Sequence, residues 1–169
     1  SFDHEEVGSS SAHGASSNFL NSVLERITLA LGGSRQNFMK MLTSSYLISA
    51  DMAHAFHPNY QDRHDSVHRP LINQGPVIKI NARMRYATDS QSTSRFVLLC
   101  QQAKVPYQTF TGRNDIPCGS TVGPLISTQL GVSTIDVGNP QLGMHSAREM
   151  AGSLDHGMMI KVFTELLGE

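Results

Sequence analysis

Three groups of residues in this 169-residue chain carry donor atoms at spacings that could do chemistry. Glu5 and Glu6 are adjacent carboxylates close to the first residue, in Asp3-His4-Glu5-Glu6-Val7-Gly8-Ser9. Asp51, His54 and His57 follow an apolar run at three-residue steps, and His145 stands in a Gly-rich segment, Gly143-Met144-His145. Carboxylate oxygen and imidazole nitrogen are what zinc accepts where thiolates are absent, and a carboxylate held near a polarised water can act as a general base. Adjacent residues on a strand point to opposite faces, so Glu5 and Glu6 can serve one site only if the backbone leaves strand geometry there. Gly8 and the serines after it make a turn the expected way to do so.

Each group also has a plainer reading on spacing alone. An adjacent Glu pair is commonly solvated, and His57 before Pro58 could cap a turn while His54 is a satisfied core histidine. His64 and His68, four apart with Asp62 and Asp65 nearby, imitate a helical metal pair, but Arg63, Ser66, Arg69 and Pro70 around them read as a surface loop. Neither His-Glu-x-x-His nor its inverse occurs, and there is no Gly-x-Ser-x-Gly elbow. The Gly119-Ser120-Thr121-Val122-Gly123-Pro124 run lacks the Lys and spacing of a phosphate loop, which leaves backbone packing or contact with a substrate's main chain.

The elements that must position these residues alternate. Residues 15 to 31 have helical apolar spacing, with Ser16 or Ser17 as a cap and Gly32-Gly33 as the stop, and a short helix is expected from Gln36 to Leu42. Tyr46 to Ala50 reads as a strand closed by Asp51, Val77 to Ile80 as a second, Pro106 to Phe110 as a third and Val132 to Val137 as a fourth, with His145 beyond a Gly/Pro loop. Helices are expected from Ser90 to Lys104 and from Arg148 to Leu167, and residues 119 to 130 as a connection. Strands alternating with helices imply a layered α/β domain, in which ligands gather beyond the carboxyl ends of strands.

Composition narrows the partners. Thirteen Lys and Arg against fourteen Asp and Glu leave no basic excess for phosphate neutralisation, so nucleic acid is not expected as a partner. No apolar run approaches the ~18 residues that span a bilayer, so no membrane partner is expected. The two cysteines, Cys100 and Cys118, are too few for a disulfide framework and suit a reducing compartment.

Five motifs in fixed order go further: Asp3-His4-Glu5-Glu6-Val7-Gly8-Ser9, the stretch from Ser49 to Tyr60, Gly75-Pro76-Val77-Ile78-Lys79, the stretch from Arg113 to Thr121, and Gly143-Met144-His145-Ser146-Ala147-Arg148-Glu149. With them the chain strongly resembles the aspartyl aminopeptidases, dinuclear zinc exopeptidases. The resemblance implies a layered α/β/α catalytic domain of which residues 1 to 169 form the C-terminal part, the N-terminal part and an inserted dimerisation domain lying elsewhere. It implies Glu5 as the general base toward a zinc-bridging water, Glu6 and His145 as ligands of one zinc, and Asp51 as a ligand of the other. Manganese or cobalt are conceivable substitutes for the two zinc ions. His54, Lys79 and Tyr86 are then expected around the substrate, and His57 in assembly or site architecture. The function implied is removal of N-terminal Asp or Glu from peptides by an assembled, dodecameric enzyme of the cytoplasm or, alternatively, the vacuole. Activity is expected only together with the N-terminal portion, which would supply a further His ligand and a bridging Asp. A non-catalytic assembly module, or an isolated fragment of such an enzyme, is the alternative.

Overall fold

In the computed structural model, which describes residues 1–168, a five-stranded mixed sheet is covered on both faces by helices. The strands are β1 (Tyr46–His54), β2 (Val77–Ile80), β3 (Gln108–Thr111), β4 (Ser133–Leu142) and β5 (Met150–Ala151). The helices are α1 (Phe19–Ala30), α2 (Arg35–Ser44), α3 (Ser90–Gln102), α4 (Val122–Leu130) and α5 (Ser153–Gly168). The sheet order is β1-β4-β2-β3, with β5 paired to β4. β1 runs parallel to β4 from Tyr46↔Ser133 to His54↔Gln141, whereas β2 meets β4 antiparallel only at Val77↔Gly138 and Ile78↔Val137.

Burial follows the layers. On one face Phe96, Leu99 and Cys100 of α3 and Met159 and Val162 of α5 pack on Ile78, Ile135 and Val137. On the other, Phe38 and Leu42 of α2 join Val132, with Leu24 and Leu130 against them. A third, smaller cluster, Ala53, Val77, Tyr86 and Phe110, lies at the end of the sheet where the polar residues gather. Side chains such as Phe96, wholly buried, each contribute roughly 1.5–3 kcal/mol relative to exposure. No described helix is long and apolar enough to cross a membrane.

The layered α/β architecture expected from the sequence is present, with several boundaries moved. β1 does not end at Asp51: it continues to His54 because β4 supplies a partner for every residue of the nine. β4 likewise runs through Gly138-Asn139-Pro140, which read as a loop. Pro140 falls between the β2 pairing, which stops at Gly138, and the β5 pairing, which starts at Gln141, where a missing N–H costs the sheet least. Gly138 is required there because a Cβ would stand 1.9 Å from the Asp51 carbonyl oxygen.

Residues 122 to 130, expected as a connection, form α4. Gly123-Pro124 looks like punctuation, but in a first helical turn Pro gives up only an N–H that has no partner anyway. The closing helix starts at Ser153, not Arg148, because Met150 and Ala151 pair with β4 first. α1 starts at Phe19 with Asn18 as its cap position, and no side chain closes that cap.

Gly138→Ala is expected to force β1 away from β4 at Asp51 and to lower stability by about 1–3 kcal/mol or more. Urea denaturation measures this, and an unchanged midpoint would contradict the close approach.

Candidate active site

Glu5 and Glu6 sit on one turn of 3-10 helix, Glu5–Val7, entered through His4 (φ 60°) and left through Gly8 (φ 99°). Two left-handed residues around a single turn are the departure from strand geometry that lets both carboxylates face one pocket. The turn is held by the Ser9 N–H bond to the His4 carbonyl, 2.8 Å, and by His4 Nδ1 against Ser11 Oγ, 2.7 Å.

Asp51 and His54 come from the last four residues of β1. His145 stands in the turn joining β4 to β5, itself at φ 67°, with its N–H donating to Glu149 Oε1 at 2.6 Å. Lys79 projects from β2 and Tyr86 from the loop after it. These seven residues, the ones the resemblance implies for base, metal and substrate, line one cavity of about 200 Å³, whereas His57 lines its neighbour.

Within it the charges pair across elements. His145 Nε2 lies 2.9 Å from Glu6 Oε2, and both side chains remain largely exposed. Lys79 Nζ donates to Asp51 Oδ2 at 3.4 Å and stands 5.6 Å from the centroid of the Tyr86 ring. The Tyr86 hydroxyl accepts from Cys118 Sγ at 3.3 Å. Lys79 is only 2% exposed. Burial pulls its pKa down, against the opposing pull of Asp51 and Asp136. The Glu5 carboxyl is pushed above the usual carboxylate range, first by burial and then by Asp51 and Glu6. The pKa of His54 is lowered, first by burial and then by His64 and Lys79.

Beneath the cavity is a carboxylate that the sequence reading passed over. Asp136 is fully buried in β4; its Oδ2 accepts from the Ala87 N–H at 2.6 Å and its Oδ1 from the Thr121 hydroxyl. It ties the Tyr86-Ala87 loop and the Gly119-to-Thr121 loop to the sheet, and Gly123 leaves room for it, since a Cβ there would meet Asp136 Oδ2 at 2.3 Å. The signal was a lone acid inside the apolar run Val132 to Val137. The runs of residues at Gly119 and at Asp65 divide: Gly119, Ser120 and Thr121 do line the cavity, and His68 is bound to Asp65 in a loop at 2.9 Å, but His64 is buried against Phe56 and Phe110.

The donor set can be weighed against zinc. Two ligands of one zinc at ~2.1 Å and tetrahedral angles lie roughly 3.4 Å apart, so the Glu6–His145 pair, at 2.9 Å, would have to open by about half an ångström to share an ion, and both atoms are of a type zinc accepts. Among the described residues no group of three or more His, Cys, Asp or Glu is placed to hold a metal ion. Asp51 faces Lys79 rather than the Glu6–His145 pair. The residues therefore fit two donors to one ion, and Asp51 as a separate carboxylate on the same cavity.

Comparison with known proteins decides the lineage of this arrangement. The family described as Aminopeptidase I zinc metalloprotease (M18) matches residues 1–166. The chain belongs to the M18 peptidase family. Among M18 relatives, the probable M18 family aminopeptidase 2 of Mycobacterium tuberculosis (strain H37Rv) is 57% identical over 154 residues, covering 91% of this chain and 36% of that protein. Aspartyl aminopeptidase 4 of Saccharomyces cerevisiae is 49% identical over 172 residues, covering 97% of this chain and 35% of its own length. The chain thus spans about a third of the length of these curated relatives. The cryo-EM structure of the Ape4 and Nbr1 complex superposes with a TM-score of 0.95 at 49% identity, over 98% of this chain and 31% of that one. The structure of the S. cerevisiae mApe1 dodecamer superposes with a TM-score of 0.86 at 30% identity, over 99% and 37%.

The buried imidazole of His64 makes the M18 segment acid-sensitive. Burial lowers its pKa from the ordinary value near ~6.5. The unfolded chain then binds the proton more readily, so stability is intact above about pH 6.5 and is lost as pH falls through the lowered value. The urea midpoint is expected to fall between about pH 7.5 and about pH 5, and to fall less in a His64→Phe variant. Equal losses in the two proteins would rule out this source.

Proposed function

We propose that this chain is the C-terminal part of the catalytic domain of a zinc aminopeptidase that releases N-terminal Asp or Glu from peptides. One observation carries the reading: the seven residues singled out for base, metal and substrate converge from five separate segments on a single cavity. Glu6 and His145 hold one zinc ion and Asp51 contributes to the second, with the ligands still needed drawn from the rest of the enzyme, a His and a bridging Asp. Zinc supplies Lewis-acid polarisation of the scissile carbonyl and acidifies the attacking water.

The chain's own residues do the remainder. Glu5 takes the proton from the attacking water and returns it to the departing amine. Burial, the largest cause of its raised pKa, makes its carboxylate a stronger base than a solvated Glu. Lys79 pairs with the acidic side chain of the substrate, and its burial strengthens that charge-assisted bond. The Tyr86 ring lies beside the Lys79 ammonium, and His54 contacts substrate from the β1 side. Asp51, at 3.4 Å, is the carboxylate a substrate's acidic group would have to compete with for Lys79.

Support for acid specificity comes from the buried cation and from the yeast relative named an aspartyl aminopeptidase; support for a homo-oligomer, with the dodecamer as its form, comes from the mApe1 dodecamer. The enzyme acts in the cytoplasm in this reading.

In the complete enzyme, Glu5→Gln should keep its zinc content while kcat falls by about 10²–10⁴-fold. Undiminished turnover with metal retained would exclude Glu5 as the base. Lys79→Met is expected to lower kcat/KM for peptides beginning with Asp by about 30-fold or more, with a much smaller change for peptides beginning with Ala; equal losses on both would remove Lys79 from substrate recognition.

A further inference from the structure

A second cavity, of about 400 Å³, adjoins the first and takes no part in the chemistry above. The two share His54, Gly119, Gln141 and Met144 as wall residues. Lys79 and Asp51 line only the first, whereas Met144, next to His145, belongs to both. The second cavity opens beside the first at Met144, next to His145, and is placed to receive the chain beyond a scissile bond held there.

The lining exposes more apolar than polar surface, with Phe110, Ile116, Pro117, Leu142 and Met144 beside the imidazoles of His57 and His64. Two guanidiniums also line it: Arg113 donates to Asp115 Oδ1 and Oδ2 at 2.9 and 2.6 Å and to the Asp62 carbonyl at 2.7 Å, and Arg63 lies 4.0 Å from Asp62.

Gln141 is the second, independent observation. It is only 6% exposed, and its backbone is fixed in β4 between His54 and Ala151. Among the described residues its side-chain amide makes no hydrogen bond to protein, and it is absent from the sealed, unpaired polar atoms, which are Ser49 Oγ, His64 Nδ1 and Asn139 Oδ1. A nearly buried amide with donor and acceptor both unused, reaching the surface of a cavity, is matched by the main-chain amide of an extended peptide.

We infer that the second cavity is the subsite for the residue following the N-terminal acidic one, with Gln141 bonding that residue's main chain and the apolar walls receiving an apolar side chain. This rests on the aminopeptidase reading and adds a preference to it. The test uses the complete zinc-loaded enzyme and two peptides, Asp-Phe-Ala and Asp-Gly-Ala. Wild type should cleave the Phe peptide with the higher kcat/KM. Ile116→Ser should lower that value about tenfold while leaving the Gly peptide unchanged, and Gln141→Met should raise KM for both. Equal rates on the two peptides in wild type, or equal losses on both in Ile116→Ser, overturn the subsite while the release of Asp leaves the aminopeptidase reading standing. Release of Asp from neither peptide overturns that reading itself.

Discussion

The parallel pairing of β1 with β4 is the constraint on which the site depends. It extends over nine residues of β1, and at its midpoint the Asp51 carbonyl approaches Gly138 so closely that no side chain fits between. That contact fixes the level of Asp51 relative to β4, and the strand direction then delivers His54 opposite Gln141. β4 leaves the sheet two residues later for the turn that carries His145. A slip of one residue in this register would turn every side chain of β1, Asp51 and His54 included, to the face it now avoids and take the site apart. Register and chemistry are the same specification here.

Electrostatics imposes the next condition. Glu5, Asp51 and Asp136 act on one buried ammonium, Lys79, while Glu6 lies against the imidazole of His145. A set of acids with so few cations repels itself. The shift of Glu5 away from the charged form comes first from burial and then from that repulsion, and divalent cations would relieve the repulsive part for Glu6, Asp51 and Glu5 together. Asp136 stands apart from this need, because its two oxygens are filled by the Ala87 N–H and the Thr121 hydroxyl.

Much of this was legible in the sequence where the pattern is local. The apolar spacing of α1 and the short α2 and α3 segments depends on neighbours three and four residues away, and those helices fall close to where the pattern puts them, although the capping boxes at Ser34 and Asp89 went unread. The candidate residues were legible because motif order carries more information than spacing. What escaped depended on long-range partners. The length of β1 is set by β4, eighty-odd residues later, and the start of α5 by Asn73, whose Oδ1 accepts from the Leu154 N–H at 2.9 Å while Asp155 accepts from Asn73 and Gly75. Gly123-Pro124 was unreadable as helix because its compatibility rests on position within the first turn and on the Asp136 carboxylate beneath it.

The two ends of the site are built differently from its middle, and the difference has a mechanical consequence. Asp51, His54 and Lys79 are borne by strands paired on at least one side. Glu5, Glu6 and His145 are borne by short turns whose flanking or own residues, His4, Ser9 and His145, hold left-handed backbone that costs of order 1–3 kcal/mol for each. Both turns lie outside the sheet: the first is closed by bonds among near neighbours, such as Ser9 to His4 and His4 to Ser11, and the second by His145 to Glu149 and Ser146 to Gly143. Among the described residues, Glu6 with His145 is the side-chain ion pair that crosses the gap between them. A group that bonds both atoms at once would therefore join the two least anchored parts of the cavity, and its binding energy would go partly into fixing the Glu5 turn, so that placement of the base and filling of the Glu6–His145 pair are one event rather than two.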